Sequence, residues 1–288
     1  ARDAWPSFGS PLFLVNPSML RLLPSAEVEA SARESPVWLA FGLSSVHRAK
    51  AEYLGITLSH LFEALRESKS IPGKETSIIV HLADFDDSWL ARTQKWLSNG
   101  FTDEVDAGRL HIIHAPKQLY PDRDVVEKNK KYGDPPLRQW WRAKQNVDYA
   151  FLMWYAAGLS EYYMQLEDDI QVVPHFFRAV SSFIESRLVG NPWVMVAFSK
   201  LGFIGKLFNA TSLPGLANFL LTFHDEAPCD WLVWVYIDAV SPMPMTPAIA
   251  DDLEKEHERR EAHARDPAVK LPKGLMRTDV ALYYKANP

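Results

Sequence analysis

Three consecutive acidic residues at the end of an apolar run constrain this chain more than any other feature of it. Glu167, Asp168 and Asp169 directly follow residues 162–166, whose apolar and aromatic composition predicts a buried β-strand. Acids in that position lie at the carboxyl edge of a sheet, where α/β proteins bind their ligands. The alternative is an ordinary solvated turn, and the residues around the triplet decide between the two.

The chemistry of neighbouring carboxylates favours a bound cation. Such groups repel one another unless a positive charge lies between them, and their oxygens suit hard divalent ions such as Mg²⁺ or Mn²⁺. A metal held there would bridge the phosphates of a nucleotide. The triplet therefore indicates a nucleotide-sugar transferase.

The bulk properties of the chain exclude several classes of protein. Its 288 residues, 47% of them apolar, suffice for one large α/β domain. A net charge of −5 argues against a nucleic-acid binder, because phosphate contacts require a basic surface. The single cysteine, Cys229, excludes an internal disulfide scaffold.

No membrane span or leader is apparent in the sequence. No apolar run reaches the roughly 18 residues that a transmembrane helix needs. The chain begins with Ala1 and shows no signal-peptide pattern. We therefore expect a processed or truncated product, so that any membrane anchor lies upstream of it.

Apolar runs and helical spacings alternate along the chain, which predicts an α/β fold with a mostly parallel central sheet. Strands are expected at residues 37–41, 77–83, 109–113, 162–166, 193–198 and 280–284. Helices are expected at residues 49–66, 88–97, 138–155 and 216–223, and from Pro174 onward.

The remaining segments are expected to be arms, loops or insertions. Residues 1–35, rich in proline and serine, predict an N-terminal arm, and residues 120–137 predict a charged loop. Residues 251–265 mix acids and bases densely, which is typical of a solvated helix or insertion. With no clear linker or repeat, residues 36–288 are expected to form a single domain.

The helix expected at residues 138–155 carries basic and amide side chains near its start. Arg142, Lys144 and Asn146 lie in one stretch, and such groups suit a phosphate or a nucleotide. Lys144 also shares a helix face with Asp148. A surface helix with an ordinary ion pair explains the same residues equally well, so both interpretations stay open.

A glycine-containing segment follows the strand expected at residues 193–198. It places Gly202 and Gly205 three residues apart, with Phe203 between them and Lys206 directly after. Glycine permits an unusual turn or a close approach of the backbone to a ligand. The spacing is not that of a phosphate-binding loop, and alone it fits an ordinary turn.

Six motifs that occur in one order resemble a known enzyme family. They are YPD (120–122), GDP (133–135), RAKQNVDYAFLMWYA (142–156), YYMQLEDDI (162–170), FSKLGFIGKLF (198–208) and DWL (230–232). Together they resemble the N-acetylglucosaminyltransferase IV family, the mannosyl-glycoprotein 4-β-N-acetylglucosaminyltransferases. The resemblance extends from about residue 42 to residue 240.

The resemblance implies a GT-A-type fold, in which a Rossmann-like nucleotide-binding half (about residues 36–170) joins an acceptor half (about residues 171–288). It implies transfer of GlcNAc from UDP-GlcNAc to a mannose of an N-glycan core in β-1,4 linkage, with inversion at the anomeric carbon. Mn²⁺ or Mg²⁺ is the implied cofactor, and glycoproteins are the implied acceptors. The implied location is the Golgi lumen, as the lumenal part of a type II membrane protein or as a secreted form.

The resemblance also implies roles for the residues of the donor site. Asp169 is expected to hold the metal, while Glu167 and Asp168 contact the ribose and the sugar or support the metal through water. The basic helix is expected to contribute donor contacts from Arg142, Lys144 and Asn146. Residues 42–48 and 84–87, which follow the first two predicted strands, are expected to frame the uridine.

An inverting transfer also needs one base that takes the proton from the acceptor hydroxyl. Asp230, in the DWL motif, is the candidate, with Asp225 and Glu226 in reserve. The alternative for Asp230 is a helix N-cap, a position that Asp occupies well. The loop with Gly202, Phe203, Gly205 and Lys206 is expected to contact the acceptor or to support the site.

One further motif concerns modification of the chain. Asn209 begins an Asn-Ala-Thr sequence that fits the N-glycosylation pattern. A single such triplet arises often by chance, so it marks Asn209 as a candidate glycosylation site only.

The end of the chain departs from the family's pattern. In the family, a strand like that expected at residues 280–284 leads through a proline into a segment containing Phe-Gln-His, and this chain ends at Pro288 before it. We therefore keep a second hypothesis, a catalytically inactive relative that binds or regulates another glycosyltransferase. A third hypothesis, an acidic-site phosphohydrolase, lacks the clustered His and Asp motifs that such enzymes use.

Overall fold

The protein was analysed as a computed structural model that describes residues 36–48, 52–66, 71–129, 131–173, 175–189, 193–199 and 202–240, and the backbone of residues 281–283. Within these residues, seven strands form one sheet in the order β3-β2-β1-β4-β6-β5-β7. The strands are β1 (Val37–Ser45), β2 (Thr76–Leu82), β3 (Leu110–Ile113), β4 (Ser160–Gln165), β5 (Met195–Ala197), β6 (Lys206–Asn209) and β7 (Ala281–Tyr283).

Eight α-helices lie in the described part of the chain. They are α1 (Leu54–Leu65), α2 (Asp87–Gly100), α3 (Thr102–Asp106), α4 (Arg123–Lys128), α5 (Pro136–Ala157), α6 (Phe176–Phe183), α7 (Leu213–Thr222) and α8 (Cys229–Val240). A π-helical turn, Ile184–Leu188, continues α6. None of the helices found among these residues is at once long and apolar enough to cross a bilayer.

The sheet is parallel on one side and mixed on the other. β1 pairs in parallel with β2 and with β4, and β3 extends the parallel part from β2. β6 runs antiparallel between β4 and β5, and β7 runs antiparallel to β5. Strands β1 to β5 therefore share one direction, which confirms the predicted α/β fold with a mostly parallel sheet.

Helices cover both faces of this sheet. Along β1, Leu39 and Phe41 pack in a core with residues of α1, α2 and α6, whereas Ala40 packs in a second core with residues of α5, α7 and α8. All seven residues of β2 are buried, as expected for a parallel strand that is covered on both faces. The alternation of side chains along a strand thus supplies the two cores.

Most predicted elements are present, although their ends differ. The predicted loop at residues 120–137 contains α4, because the Asp122 side chain caps a short helix by accepting a hydrogen bond from the Asp124 N–H. The glycine-containing segment ends in β6, a strand that the sequence analysis did not predict. The arm at residues 1–35 and the charged segment at residues 251–265 lie outside the described residues, and the division into two halves stays a prediction.

Candidate active site

A cavity of about 220 Å³ opens at the carboxyl ends of β1 and β4. The register of the parallel pair places Gly42 of β1 beside Gln165 of β4, so the segments that follow these strands meet at one edge of the sheet. Helix α5 forms the opposite wall. The lining residues are Ser44, Val46, Arg48, Arg138, Trp141, Arg142, Gln145, Asp148, Tyr149, Glu167 and Asp168.

Asp168 is the most deeply held acid of the triplet. It is 4% exposed, and Ser45 donates a hydrogen bond to its Oδ2 at 2.5 Å. The guanidinium of Arg48 contacts its Oδ1. Burial raises the pKa of Asp168, and the hydrogen bond from Ser45 and the charge of Arg48 lower it in part.

Asp169 is not one of the lining residues. It lies at the rim, next to Asp168, with 37% of its side chain exposed. Arg48 reaches this carboxylate as well, because its Nη1 lies 3.0 Å from Asp169 Oδ2. One guanidinium therefore spans both aspartates. Thr57 of α1 holds the backbone between them by donating to the carbonyl oxygens of Asp168 and Ile170, at 2.8 and 3.0 Å.

Glu167 faces the glycine-containing loop. The Phe203 N–H points at Glu167 Oε1 at 3.4 Å, and a Cβ at Gly202 would lie 3.0 Å from the same oxygen. Gly202 and Gly205 adopt positive φ angles of 39° and 64°, conformations that glycine takes readily. Burial raises the pKa of Glu167, and the bond from Phe203 lowers it in part.

The other two predicted residues of this loop lie in its interior. Phe203 is 1% exposed and packs against the Tyr149 ring at a centroid distance of 5.1 Å. Lys206 is 3% exposed and donates to the carbonyl oxygens of Ser199 and Ile204, at 2.6 and 3.2 Å. Burial lowers the pKa of Lys206 to about 8, although the negative charges of Asp230 and Glu167 act to raise it. These two side chains therefore support the loop.

The three predicted donor contacts on α5 separate in space. Arg142 lines the cavity, and its Nη1 lies 2.6 Å from Asp134 Oδ2. Asn146 is fully buried and points away from the cavity. Its Nδ2 donates to the carbonyl oxygens of His224 and Ala227, at 2.7 and 2.9 Å, which ties α5 to the turn before α8.

Lys144 is buried behind the cavity wall. Its Nζ donates to Asp148 Oδ2 at 2.8 Å and to the Ala83 carbonyl oxygen at 2.5 Å. The Tyr120 hydroxyl donates to the other oxygen of Asp148 at 2.7 Å. Burial raises the pKa of Asp148, while Lys144 lowers it. Lys144 thus positions a cavity-lining carboxylate. The expected ion pair with Asp148 is present, but it is buried and does not lie on a surface helix.

Asp230 lies in the first turn of α8, one residue after the helix begins. Its Oδ1 is 3.2 Å from the Trp231 N–H, so it sits within the turn and not at the cap position. It does not line the cavity, but its charge acts on Lys206 and Cys229 together with that of Glu167. Asp230 and Glu167 therefore share one electrostatic neighbourhood.

Ser45 and Arg48 are site residues that the sequence analysis placed only within a range. Ser45 is the last residue of β1 and Arg48 lies three residues beyond it. This strand lies more than 100 positions from the acids in sequence, yet pairs with β4 in the sheet. Asp84, in the second predicted uridine segment, accepts a hydrogen bond from the His47 N–H at 3.0 Å. The two segments expected to frame a uridine are therefore in contact. A basic residue just beyond the first strand was the available signal for Arg48.

The acidic residues are better suited to a metal that binds together with a nucleotide than to a metal whose ligands all come from the protein. Among the residues described, no three His, Cys, Asp or Glu side chains gather as a metal site. Mg²⁺ bound with a nucleotide needs only one or two carboxylates, since phosphates and water complete its shell. Asp169 offers such an oxygen at the rim, close to Asp168.

A mostly parallel sheet with a carboxylate-lined cavity at the carboxyl ends of its strands defines a ligand-binding α/β protein. Residues 14–259 match the family model described as the MGAT4 conserved region. The chain belongs to this family.

Curated relatives carry enzyme names. Over 196 residues the chain is 46% identical to alpha-1,3-mannosyl-glycoprotein 4-beta-N-acetylglucosaminyltransferase C of Macaca fascicularis, covering 68% of this chain and 40% of that protein. It is 44% identical to alpha-1,6-mannosyl-glycoprotein 4-beta-N-acetylglucosaminyltransferase of Gallus gallus, covering 68% and 41%. It is 37% identical to the N-acetylglucosaminyltransferase-like protein MGAT4E of Mus musculus, covering 69% and 43%. The chain thus spans about two-fifths of the length of these relatives.

Similarity to solved structures is slight. The crystal structure of S. aureus TarS 1–349 aligns with a TM-score of 0.34 at 10% identity, covering 82% of this chain and 76% of that one. A 4-diphosphocytidyl-2C-methyl-D-erythritol synthase from Anaerococcus prevotii aligns with a TM-score of 0.32 at 9% identity, covering 70% and 83%. Scores this low carry no functional weight.

Proposed function

We propose that this chain carries the donor site of an inverting glycosyltransferase that moves GlcNAc from UDP-GlcNAc to a mannose of an N-glycan core, in β-1,4 linkage. The observation that carries the proposal is the placement of Glu167 and Asp168 in a cavity at the carboxyl ends of β1 and β4. Membership of the MGAT4 family supports the sugar and the acceptor class. The proposed fold type is GT-A, with a donor half and an acceptor half.

The cofactor in this proposal is Mn²⁺ or Mg²⁺, which would neutralise the departing diphosphate. Asp169 would hold it from the rim, with Asp168 beside it. Ser45 and Arg48 fix the orientation of Asp168, and Arg142 offers a positive charge on the opposite wall. Glu167, held by the glycine-containing loop, is positioned to accept hydrogen bonds from sugar hydroxyls.

The base of the reaction is assigned to Asp230. Inversion requires a group on the acceptor side that takes the hydroxyl proton as the new bond forms. Asp230 lies outside the donor cavity, on a different element from the acids that follow β4, and its charge acts on Lys206 together with that of Glu167. This arrangement supports the proposal, because the base that deprotonates the acceptor must lie apart from the site of the leaving diphosphate.

The proposal extends to the cell biology of the protein. Its acceptors are N-glycans on glycoproteins, and its place is the Golgi lumen, behind an anchor outside this chain or as a secreted form. Asn209 is a proposed glycosylation site. Its Oδ1 accepts hydrogen bonds from the N–H and the hydroxyl of Thr211, at 3.0 and 2.6 Å, a local turn at the end of β6.

Calorimetric titration with UDP-GlcNAc tests the donor site directly. We expect binding that depends on Mn²⁺ in the wild-type chain and is lost in Asp169→Asn. Asp106→Asn is the matched control, because Asp106 is an exposed acid on α3, before β3 and at the opposite edge of the sheet. Unchanged, metal-dependent binding in Asp169→Asn would remove Asp169 from the metal site.

A second candidate function is a catalytically inactive relative that binds or regulates another glycosyltransferase. The observation that favours it is Arg48, whose guanidinium contacts both aspartates and so occupies carboxylate oxygens that a metal would use. This alternative predicts weak UDP-GlcNAc binding and a partner glycosyltransferase that co-purifies with the chain. Robust transfer of GlcNAc to an acceptor would exclude it.

A further inference from the structure

Two large aromatic side chains lie exposed beside the cavity. Tyr132 is 59% exposed and Trp231 is 54% exposed, although aromatic residues of this size usually bury most of their surface. Their rings meet edge to face, with centroids 5.5 Å apart. We call these two residues the aromatic pair.

The aromatic pair is continuous with the cavity. The Arg142 guanidinium, which lines the cavity, lies over the Tyr132 ring at 5.0 Å. Trp231 directly follows Asp230 in the first turn of α8. Arg142 and the aromatic pair therefore join the cavity wall to the helical turn that carries the candidate base.

Tyr132 is held in an unusual conformation. Its φ angle is 58°, in the left-handed region that bulky residues rarely adopt. Such a conformation persists only where the surroundings fix it, and it is often found at binding sites. Here the next residues fix it, because Asp134 lies 2.6 Å from Arg142 Nη1 and 3.5 Å from Arg138 Nε.

The segment before Tyr132 is anchored as well. Lys131 lies 2.7 Å from Glu226 Oε1, and Asn129 donates to Asp225 Oδ2 at 2.7 Å. These contacts join the segment that carries Tyr132 to the turn that precedes α8. Both rings of the aromatic pair are thus presented by anchored elements, so a ligand that binds them need not order them first.

We propose that the aromatic pair is the acceptor subsite, where Trp231 stacks against the apolar face of a pyranose ring and Tyr132, whose ring is perpendicular to that of Trp231, contacts the edge of the sugar. This inference rests on the proposed function. In a transfer reaction the acceptor hydroxyl must lie next to the donor sugar, so the acceptor must occupy a surface that adjoins the donor cavity. The aromatic pair adjoins it through Arg142.

The chemistry of the surroundings also suits a sugar. A pyranose has one face of C–H groups and a rim of hydroxyls. The aromatic pair offers apolar area for the face, while Arg142, Lys131 and Glu226 lie around it and offer hydrogen-bonding groups for the rim.

Binding of a free trimannosyl N-glycan core to the full chain tests the subsite. Titrations contain saturating UDP and Mn²⁺, and are followed by calorimetry. We expect the dissociation constant to rise roughly tenfold or more in Trp231→Ala, the size of effect that central aromatic contacts show, and to change little in Trp231→Phe. Tyr132→Gly should weaken binding similarly while relieving the left-handed conformation, so loss of folding does not obscure the result.

Controls separate this inference from the proposed function. Trp96→Ala removes a tryptophan of comparable exposure, 47%, from α2 and should leave oligosaccharide binding unchanged. UDP-GlcNAc titration should give the same affinity in all four variants. Two results would overturn the acceptor subsite alone, provided that the wild-type chain binds UDP-GlcNAc. Either the wild-type chain does not bind the oligosaccharide, or it binds with the same affinity as Trp231→Ala and Tyr132→Gly. Absence of donor binding in the wild-type chain would instead count against the proposed function.

Discussion

Arg48 is the residue on which the charge balance of the site depends. Its guanidinium contacts Asp168 and lies 3.0 Å from Asp169 Oδ2, so it occupies the position of a counter-charge between two carboxylates. A bound cation would compete for the same oxygens. Arg48 should therefore stabilise the site when no metal is bound and, by competing for the same oxygens, lower the affinity of the site for metal.

Replacing Arg48 by methionine tests this coupling. We expect the free energy of unfolding at pH 7 to fall by about 1 to 3 kcal/mol, because a largely buried carboxylate loses its partner. Burial already raises the pKa of Asp168, and the variant should raise it further. Mn²⁺ should then stabilise Arg48→Met more than the wild type, since it restores the missing positive charge.

The stability that Arg48→Met loses should depend on pH, because it arises from the interaction of Arg48 with the titratable carboxyl group of Asp168. An acid whose pKa is higher in the folded chain than in the unfolded chain makes stability fall as pH rises through that pKa. The deficit of Arg48→Met should therefore shrink between pH 7 and pH 4, because Asp168 takes up its proton at a higher pH in the variant than in the wild type. Urea unfolding at both pH values measures it, with Arg178→Met, an exposed change on α6, as the control. A deficit that is independent of pH and Mn²⁺ would contradict the proposed role.

At the residue scale, the sequence predicted the acids of the site but not their partners. Glu167 and Asp168 are identifiable because they end an apolar run, and a strand must deliver them to the sheet edge. Ser45 and Arg48 come from another strand, and only the parallel register of β1 and β4 brings them near. Lys144 shows a different limit of the sequence. Helical spacing predicts that it shares a helix face with Asp148, but not whether that face is exposed to solvent or packs against the sheet.

At the scale of elements, the side chain of Tyr163 on β4 fills the space beside Gly42 on β1 that any larger side chain would need. A Cβ on Gly42 would lie 2.2 Å from the Tyr163 hydroxyl oxygen and 2.6 Å from its Cε2. Tyr163 is fully buried, and its hydroxyl donates to Oε1 of Gln165, two residues before the acidic triplet begins. The glycine therefore lets a buried tyrosine support the strand that ends in the site.

Gly42→Ala should destabilise the protein by about 1 to 3 kcal/mol or more, because the added methyl group overfills a closed space. The Tyr163→Phe background removes the nearest atom, so the cost of Gly42→Ala should be smaller there, which a double-mutant cycle measures by urea unfolding. Gly100→Ala is the control, since a Cβ at that helix end meets nothing within 4 Å. Equal costs of Gly42→Ala in both backgrounds would show that the hydroxyl is not the obstacle.

Most long elements with an apolar run or a regular spacing were predictable, with the exception of α8, and the short elements α3, α4 and β6 were not. β2 and α5 follow from a continuous apolar run and from helical spacing. α4 was missed because six residues rich in charge carry little periodicity, and its capping by Asp122 is a local event inside a proline-flanked stretch. β6 was missed because its four residues follow a glycine turn and gain strand structure by pairing with β4 and β5.

At the scale of the whole molecule, the proposed donor and acceptor halves share one sheet and one core. β4, which carries the acids, pairs with β1 on one side and with β6 on the other. One core contains Ala40 and Ile79 from the first half together with Leu213 and Val233 from the second. The boundary between the halves therefore has no linker at which they can separate.

This continuity predicts that the described core unfolds as one unit, which native-state hydrogen exchange in rising urea measures. Asn146→Ala is the informative perturbation, because it removes two hydrogen bonds from α5 to the turn before α8 and should cost about 1 to 3 kcal/mol. In a single cooperative unit, that loss appears equally in the opening free energies of β1, β2, α7 and α8. A loss confined to α7 and α8 would show instead that the acceptor side opens independently. Asp230 and Trp231, which lie on α8, would then belong to a unit that unfolds separately from the strands that form the donor cavity.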